Sequence, residues 1–342
     1  MTLPYLSADL PGIGGALRTV DDDFVVDEQL PYSAAGTGDH VFVHIEKRGL
    51  ATPQAAAQIA RALGVAERDV GIAGMKDRHA VTRQWLSLPP PVTPETARAL
   101  ALDGITVLDA IRHPHKLRTG HVRANSFRLI VRGVAADAAD RARAIFDRIA
   151  APPGAPNWYG EQRFGKDGDN AARGRAIVLG AERAPKDRRL ARLLVSALQS
   201  ELFNAWLTAR IADGLDRAVI GGDLLHKVGG GMFACTEPEV DQARLAAGEL
   251  VVTGPMFGVS MRAPADGTTA ATREAEILAA SGLAREAFAP VARLAEGTRR
   301  DASIAITTPT TRQVDASTVE IAFTLPGGAY ATAVMREVMK AT

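Results

Sequence analysis

The segment GIAGMKDRHAVTRQWLSL, residues 71–88, is the most informative part of the sequence for the fold. An apolar strand and two glycines lead into Lys76 and Asp77, and a more polar segment follows them. A carboxylate in such a turn has two interpretations: Asp77 either caps the turn as a structural group or stands at the mouth of a cleft as a catalytic one. The surrounding sequence has to decide between the two.

Length and composition predict a cytoplasmic protein with two domains. The 342 residues, 46% of them hydrophobic and 23% charged, are typical of a soluble globular chain. No apolar run approaches the roughly 18 residues of a membrane span, and the N-terminus lacks the features of a secretory signal. The single cysteine, Cys235, excludes an internal disulfide and a cysteine-rich zinc site, so we predict a small buried side chain there.

Positive charge is concentrated between residues 111 and 132, which carry six Lys or Arg and three His but no acidic residue. Such a local excess suits a polyanion, because each cation that meets a phosphate releases condensed counterions. A solvated charged ribbon is the alternative interpretation. The candidates for phosphate contact are Arg112, Lys116, Arg118 and Arg123. A second basic run at 186–192 adds weakly to the nucleic-acid interpretation.

Hydrophobic periodicity predicts a mixture of strands and helices. The predicted strands are 23–30, 40–48, 69–74, 105–113, 126–134 and 318–325. The predicted helices are 52–64, with Thr52 as N-cap and Gly64 after its end, 140–150, 189–214, 271–282 and 285–297. The segment GGDLLHKVGGGMFACT, residues 221–236, is predicted to be a glycine-rich connection.

A domain boundary is predicted at APPGAPN, residues 151–157, where three prolines and a glycine interrupt regular structure. A lone strand at 318–325 needs a sheet to join. The economical solution is that it returns to the N-terminal sheet. Residues 154–306 are then an insertion, and residues 1–153 and 307–342 form one domain.

Metal and nucleotide patterns do not fit this sequence. His113 and His115 share a face of a predicted strand but have no third ligand, so exposure or phosphate contact is the expectation. Asp167 and Asp169 begin a calcium-loop pattern that is not completed. The lysine after GIAGM is followed by Asp77, which would repel a phosphate, and no dinucleotide-binding glycine triad occurs. We therefore predict no metal, ATP or NAD.

Three aromatic residues stand in polar surroundings: Phe24, Phe127 and Tyr330. Each lies at the edge of a predicted strand near a basic or glycine-rich loop. Any one of them alone is more often a core residue. Three together are what stacking on an unpaired base requires.

The run AGMKDRHAVTRQW, from Ala73 to Trp85, resembles the signature A-G-x-K-D-x-x-A-x-T-x-Q of the tRNA pseudouridine synthase D (TruD) family. The similarity continues in the family's order along nearly the whole chain. Further matching segments are DDFVVDE at 22–28, GTGDHVFVHIEK at 36–47, ANSF at 124–127, PNWYGEQRFG at 156–165, SALQSELFN at 196–204 and LPGGAYATAVMRE at 325–337.

The resemblance implies an α+β pseudouridine synthase fold with a mixed central sheet, interrupted by the family's own α+β insertion domain. With the boundaries given above, 1–153 and 307–342 form the catalytic domain and 154–306 the insertion, in a V-shaped molecule with an RNA-binding cleft. The implied reaction converts a uridine of tRNA, at position 13, to pseudouridine. The implied partner is tRNA, and we expect a monomer without cofactor or protein partner.

The resemblance also assigns site residues. The family's catalytic aspartate falls on Asp77, which would act as the nucleophile. Its substrate-binding positions fall on Phe24, Asn125 and Tyr330, and Phe127 completes the N-x-F element. One of the two phenylalanines is expected to stack on the uracil, and the amide of Asn125 can offer a donor and an acceptor to the uracil edge.

The cations beside Asp77 are assigned less directly. Lys76 and Arg78 alternate with Asp77 along the backbone, so neither side chain need contact Asp77. We expect them instead to hold a phosphate next to the target nucleotide. Arg18 stands where many members look like a lysine, which leaves its role open. One ionised carboxylate suffices for the chemistry, by attack at C1′ or at uracil C6 or by removal of a sugar proton. An RNA-binding or RNA-folding protein without chemistry is the alternative function, and a carboxylate-dependent glycosylase is a third.

Overall fold

The computed structural model describes residues 3–340. The strands are β1 (Ala16–Leu17), β2 (Phe24–Gln29), β3 (His40–Arg48), β4 (Gly71–Ile72), β5 (Val81–Leu88), β6 (Ile105–His113), β7 (Ala124–Arg132), β8 (Ala155–Pro156), β9 (Leu224–Lys227), β10 (Met232–Ala234), β11 (Leu250–Met256), β12 (Thr298–Asp301), β13 (Ser303–Ile304), β14 (Thr307–Asp315) and β15 (Thr318–Pro326). The helices are α1 (Thr52–Leu63), α2 (Pro94–Arg98), α3 (Ala138–Ile149), α4 (Asn170–Val178), α5 (Arg188–Ala212), α6 (Pro238–Ala246), α7 (Thr269–Ala280) and α8 (Ala331–Met339). Short 3-10 turns cover Asp21–Asp23, Glu67–Asp69, Glu161–Phe164 and Arg285–Val291.

The chain forms two compact units. The first, here called the sheet unit, comprises Leu10–Asp147, Ile306–Ala331 and the residues from Val338 onward. The second, here called the α5 unit, comprises Arg148–Ala305, the N-terminal segment up to Asp9, and Thr332–Glu337. Within residues 3–340 no helix is long and apolar enough to cross a membrane.

A nine-stranded mixed sheet dominates the sheet unit. Its order is β14-β15-β7-β2-β5-β3-β6, with β1 added to β7 and β4 to β5. Every pair is antiparallel except β2 and β5, which run parallel. Strand β15 pairs with β7 from Thr318 opposite Arg132 to Pro326 opposite Ala124. The prediction that the 318–325 strand returns to the N-terminal sheet is therefore confirmed.

One face of this sheet is buried but carries a row of polar residues. Residues opposite each other in register share a face, and β2 sets Glu28 opposite Asn125 of β7. Strands β3 and β5 set Lys47 opposite Thr82 and Ile45 opposite Gln84. Successive inward residues of β3 before Lys47 are apolar, and helix α1 packs on them through alanines and Ile59. The polar residues on the buried face are Glu28, Lys47, Thr82, Gln84 and Asn125.

Helix α1 begins one residue earlier than the sequence predicts. Ala51 is the N-cap, and the side chain of Gln54 accepts a hydrogen bond from its backbone N–H at 3.0 Å. Thr52, predicted as the cap, is the first helical residue, and its hydroxyl is used elsewhere. Gly64 ends the helix with φ +68°, a left-handed conformation that glycine adopts without strain. The predicted helix at 285–297 is wrong, because only a 3-10 turn forms at Arg285–Val291, where Pro290 cannot donate a backbone hydrogen bond.

The α5 unit has its own core around the long helix α5. Phe203 and Trp206 of this helix pack with Leu225 and Val252 from a four-stranded sheet of order β10-β9-β11-β12. The segment that the sequence suggested as a glycine-rich connection forms the β9–β10 hairpin of that sheet. Cys235 is buried as predicted, and burial raises the pKa of its thiol to about 12.

Candidate active site

The Lys76–Asp77 turn lies between β4 and β5 and is anchored by side chains from two other elements. The buried ammonium of Lys47 on β3 donates to the backbone oxygen of Asp77 at 2.8 Å. The hydroxyl of Thr52 on α1 accepts from the backbone N–H of Lys76 at 2.8 Å and donates to Gln84 Oε1 at 2.9 Å. These bonds fix the backbone, while the Asp77 side chain remains 54% exposed.

The cation that contacts the Asp77 carboxylate is Arg18. Its Nη2 donates to Asp77 Oδ2 at 2.6 Å. The Arg18 guanidinium also lies over the Phe24 ring, 3.9 Å from the centroid. The backbone of Arg18 has φ +63°, an uncommon left-handed conformation for a residue with a side chain. Arg18 thus joins the carboxylate to an aromatic surface.

Phe24 and Phe127 form one aromatic pair beside this carboxylate. Their rings meet edge to face with centroids 6.2 Å apart, and Phe127 packs against Phe323 at 5.4 Å. Both predicted stacking residues are largely buried, and Arg18 covers a face of Phe24. A base that stacks on that face of Phe24 has to displace the guanidinium.

The turn before Phe24 is held by an ion pair between the buried carboxylate of Asp23 and the half-exposed guanidinium of Arg132. Both oxygens of Asp23 accept from Arg132 of β7, with the closest contact at 2.8 Å from Nη2. This hydrogen bond lowers the pKa of the Asp23 carboxyl below its ordinary value, although burial opposes the shift. Asp23 also accepts from the backbone N–H of Val20 at 3.2 Å. The start of β2, and with it Phe24, is fixed in this way.

Asn125 is buried on the same sheet face, and its Oδ1 has no hydrogen-bond partner among residues 3–340. An unpaired buried acceptor costs free energy, so it is a candidate for contact with a ligand donor. Its neighbour in register is Glu28, which accepts from the backbone N–H of Trp85 at 3.2 Å. Burial raises the pKa of Glu28, while the ammonium of Lys76 beside it acts in the opposite direction.

Lys76 does not occupy the position that its predicted phosphate role requires. Its ammonium pairs with Glu28, and the side chain is only 7% exposed. Arg78 is exposed, but its Nε donates to the backbone oxygen of Gly49 at 3.1 Å. The expectation that neither side chain need contact Asp77 agrees with these partners. The phosphate role of Lys76 is corrected, because a buried ammonium already paired with a carboxylate is not available to a phosphate.

Tyr330 lies in the turn between β15 and α8 and is 47% exposed. Gly327 in this turn donates to the backbone oxygen of Arg123 at 3.0 Å. A Cβ at Gly327 would lie 2.3 Å from the backbone oxygen of Val122, so only glycine permits this approach. In the described part of the chain, no hydrogen bond or ring contact joins Tyr330 to Asp77, Arg18 or Phe24.

The predicted phosphate-binding residues are spread along the segment 112–123. Arg112, Arg118 and Arg123 are exposed, and Lys116 is half-buried with its ammonium donating to the backbone oxygen of Arg68 at 2.8 Å. The expectation for His113 is wrong. It is buried, with its ring stacked 4.1 Å from Phe42, so it packs the sheet rather than meeting solvent or phosphate.

Three further residues shape the site: Lys47 and Glu28 were not singled out in the sequence, and Thr52 was predicted only as a helix cap. The alternation of residues 41–47, apolar at every second position and ending in lysine, carries a signal for Lys47: an ionisable residue continues a buried face. The same holds for Glu28 after Phe24 and Val26. No metal-binding group of three or more His, Cys, Asp or Glu occurs within residues 3–340.

Comparison with known proteins agrees with this arrangement. The family profile of tRNA pseudouridine synthase D (TruD) matches residues 1–185 and 181–338. A tRNA pseudouridine synthase D of Anaeromyxobacter dehalogenans is 49% identical over 99% of this chain and 96% of its own length. One from Thermus thermophilus is 37% identical over 98% of this chain and 92% of its own.

A solved structure from Methanosarcina mazei, described as a tRNA pseudouridine synthase D, has the same fold. It superposes with a TM-score of 0.81 at 23% identity and covers 99% of this chain and 96% of its own. The predicted α+β pseudouridine synthase fold with a mixed sheet is therefore confirmed. With matches that span both units of the molecule, the chain belongs to the tRNA pseudouridine synthase D (TruD) family.

Proposed function

We propose that this protein converts uridine 13 of tRNA to pseudouridine and that Asp77 is its catalytic carboxylate. As a member of the tRNA pseudouridine synthase D family, the chain is an RNA-modifying isomerase. The position in tRNA and the role of the aspartate are the finer parts of this proposal. We also propose that the enzyme works as a monomer in the cytoplasm, where tRNA is modified.

The observation that carries the proposal is the setting of Asp77. It is a half-exposed carboxylate on a backbone fixed by Lys47 and Thr52. Arg18 links it directly to Phe24. A purely structural carboxylate would use its oxygens on the turn it caps, whereas the described oxygen contact of Asp77 is with the guanidinium of Arg18, which lies far away in the sequence.

The chemistry requires one such group and conserves every non-hydrogen atom of the base. The N1–C1′ bond breaks, the uracil turns within the pocket, and a C5–C1′ bond forms. The C5 proton leaves to solvent and N1 gains a proton. An ionised carboxylate can attack C1′, add to C6 or remove a sugar proton, and all three routes require Asp77 to be ionised.

The target base has to leave its stack to reach Asp77. Extrusion costs a few kcal/mol, and stacking on an aromatic ring returns about 1–3 kcal/mol. We assign the stacking surface to Phe24 and Phe127, with Tyr330 near the sugar or the opposite face. The unpaired Oδ1 of Asn125 is an acceptor for the uracil N3–H.

We propose that the segment 154–306 is the insertion domain of the family. The continuous stretch Arg148–Ala305 has its own sheet and core, which supports a separately folded insertion between the parts of the sheet unit. Residues 1–153 and 307–342 are then the two parts of the catalytic domain.

The test uses unmodified tRNA that carries tritium at uridine C5. We expect wild-type protein to release tritium to water, and Asp77→Asn to bind the tRNA without releasing it. A tRNA with cytidine at position 13 should release none. Undiminished release from that tRNA would contradict the assigned position.

The same assay separates the alternatives. A non-catalytic RNA-binding or RNA-folding protein would bind the tRNA and release no tritium. A carboxylate-dependent glycosylase would release free uracil, which isomerisation does not. Chromatography of the products therefore distinguishes all three functions in one experiment.

A further inference from the structure

Lys47 is a buried cation that the chemistry proposed above does not use. It lies at the end of β3, with its side chain on the buried face of the sheet and no exposed surface. Its Nζ donates to the backbone oxygen of Leu50 at 2.6 Å and to that of Asp77 at 2.8 Å. Burial of an ammonium costs free energy unless its N–H donors have partners, and these two backbone oxygens are such partners.

We infer that Lys47 is a positioning residue for the reaction, because it joins the Arg48–Ala51 linker to the Lys76–Asp77 turn and so fixes the carboxylate. The inference rests on the proposed role of Asp77. Lys47 contacts the backbone of Asp77 and not its carboxylate, so it acts on the reaction through Asp77 alone.

Two further hydrogen bonds join the same two regions of the chain, and each region contributes one of the side chains. Thr52, at the start of α1, accepts from the backbone N–H of Lys76 at 2.8 Å. Arg78 donates back to the oxygen of Gly49 at 3.1 Å. The turn is thus held just before, at and just after Asp77. Lys47 holds the central position, and among these three side chains it alone is both charged and fully buried.

Opposing effects act on the pKa of the Lys47 ammonium. Burial lowers its pKa to about 8, and Lys76 acts in the same direction, while Asp77 and Asp21 favour the charged form. A neutral amine keeps two N–H donors but loses charge assistance, which roughly halves the strength of such bonds. The hold on Asp77 should therefore weaken as the pH rises through about 8.

The experiment compares wild type with Lys47→Met, which keeps the length of the side chain and removes its donors. We expect the single-turnover rate constant for tritium release to fall about 10- to 100-fold, the effect of a misplacement near 1 Å. The Kd for tRNA should stay within about twofold, because phosphate contacts dominate affinity. The wild-type rate constant should fall above about pH 8, and Lys47→Met should lack this decline.

Leu88→Ala is the matched control. Leu88 is a fully buried core residue on β5, seven residues beyond the start of the strand that follows the turn. It should lower the melting temperature without a comparable loss of rate at a temperature where the variant is folded.

Three results would overturn the inference. They are a Lys47→Met rate constant close to wild type, an equal loss in Leu88→Ala, or the same alkaline decline in Lys47→Met as in wild type. If Lys47→Met does not fold, Lys47→Gln and the wild-type pH profile decide. A wild-type rate constant that is flat from about pH 7 to pH 9 then rejects the inference. Failure of wild type itself to release tritium would instead reject the proposed function.

Discussion

The carboxylate of Asp77 takes its cationic partner from far along the chain. Its sequence neighbours Lys76 and Arg78 bind Glu28 and the backbone of Gly49 instead. Arg18, 59 positions away, makes the contact at 2.6 Å. Adjacent residues in an extended or turning backbone point in different directions, so the charges beside Asp77 in sequence are not those beside it in space.

Replacement of Arg18 should separate its ion pair from its stacking. Arg18→Ala removes both, and we expect a loss of about 10- to 100-fold in the tritium-release rate constant, the range of a charged hydrogen bond. Arg18→Lys keeps the charge but loses the planar contact with Phe24, so its loss should be smaller. Arg48→Ala, which removes an exposed pair with Asp22 at 2.6 Å, is the control. Equal rates for Arg18→Ala and Arg48→Ala would rule out a role for Arg18.

Asn125 should matter more for the reaction than for stability. Because its Oδ1 has no partner among the described residues, Asn125→Ala should change the unfolding free energy little. Loss of a hydrogen bond to the substrate should cost about 1–3 kcal/mol in transition-state binding. Single-turnover kinetics and thermal unfolding measure the two effects. Gln199→Ala, which removes a 2.6 Å bond to the oxygen of Phe257, should show the reverse pattern. A Tm loss without a rate loss in Asn125→Ala would refute the assignment.

Helix α1 supplies a contact that links secondary structure to the site. Thr52 is the first helical residue, which places its hydroxyl beside the backbone of Lys76. The helix therefore needs a different cap, and Ala51 with Gln54 provides it. A threonine that looks like a helix cap in the sequence instead holds the Lys76–Asp77 turn in the fold.

Thr52→Val should loosen the Lys76–Asp77 turn. The change conserves volume but leaves the Lys76 N–H and Gln84 without the hydroxyl, at a cost of about 1–3 kcal/mol. We expect faster hydrogen exchange at the Lys76 amide and a lower tritium-release rate. Thr93→Val is the control, because Thr93 caps α2 and should cost only about 1 kcal/mol of stability. Unchanged exchange at Lys76 would show that the hydroxyl does not hold the turn.

The ion pair between the Asp21–Asp23 turn and β7 predicts a dependence of stability on acid pH. Arg132 lowers the pKa of Asp23, so the pair contributes stability that is present above the ordinary aspartate pKa of 3.8 and lost as pH falls through the lowered value. Urea unfolding of wild type and Asp23→Asn should differ most above about pH 5 and converge near pH 2. A pH-independent difference would contradict the lowered pKa.

Across the molecule, the net charge of +1 conceals the basic segment 111–132. If Arg112, Lys116, Arg118 and Arg123 meet tRNA phosphates, the affinity should fall steeply with salt. Each alanine variant should reduce the slope of log Kd against log salt by about one. Arg143→Ala, in an exposed pair with Asp140 on α3, should leave the slope unchanged. Affinity that is equal at low and high salt would exclude phosphate binding by these residues.

The architecture was largely predictable from local pattern. Alternation along 40–48 and 105–113 gave strands with the bounds that the structure has, and α1 and α5 followed from their apolar periodicity and flanking residues. The errors lie where local signals are weak. The β9–β10 hairpin is short and rich in glycine, and the 285–297 segment has helical periodicity but contains Pro290.

The sequence by itself determined the family, the return of the 318–325 strand to the N-terminal sheet and the candidate carboxylate, because these depend on residue type and on the order of segments along the chain. The partners of that carboxylate were decided only by tertiary structure. The pairing of β7, β2, β5 and β3 brings Asn125, Glu28 and Lys47 onto one buried face of the sheet. Arg18, which follows β1 in a left-handed backbone conformation, contacts Asp77. Such contacts join residues that lie far apart in the sequence, and the local pattern of a single sequence does not specify which distant residues meet.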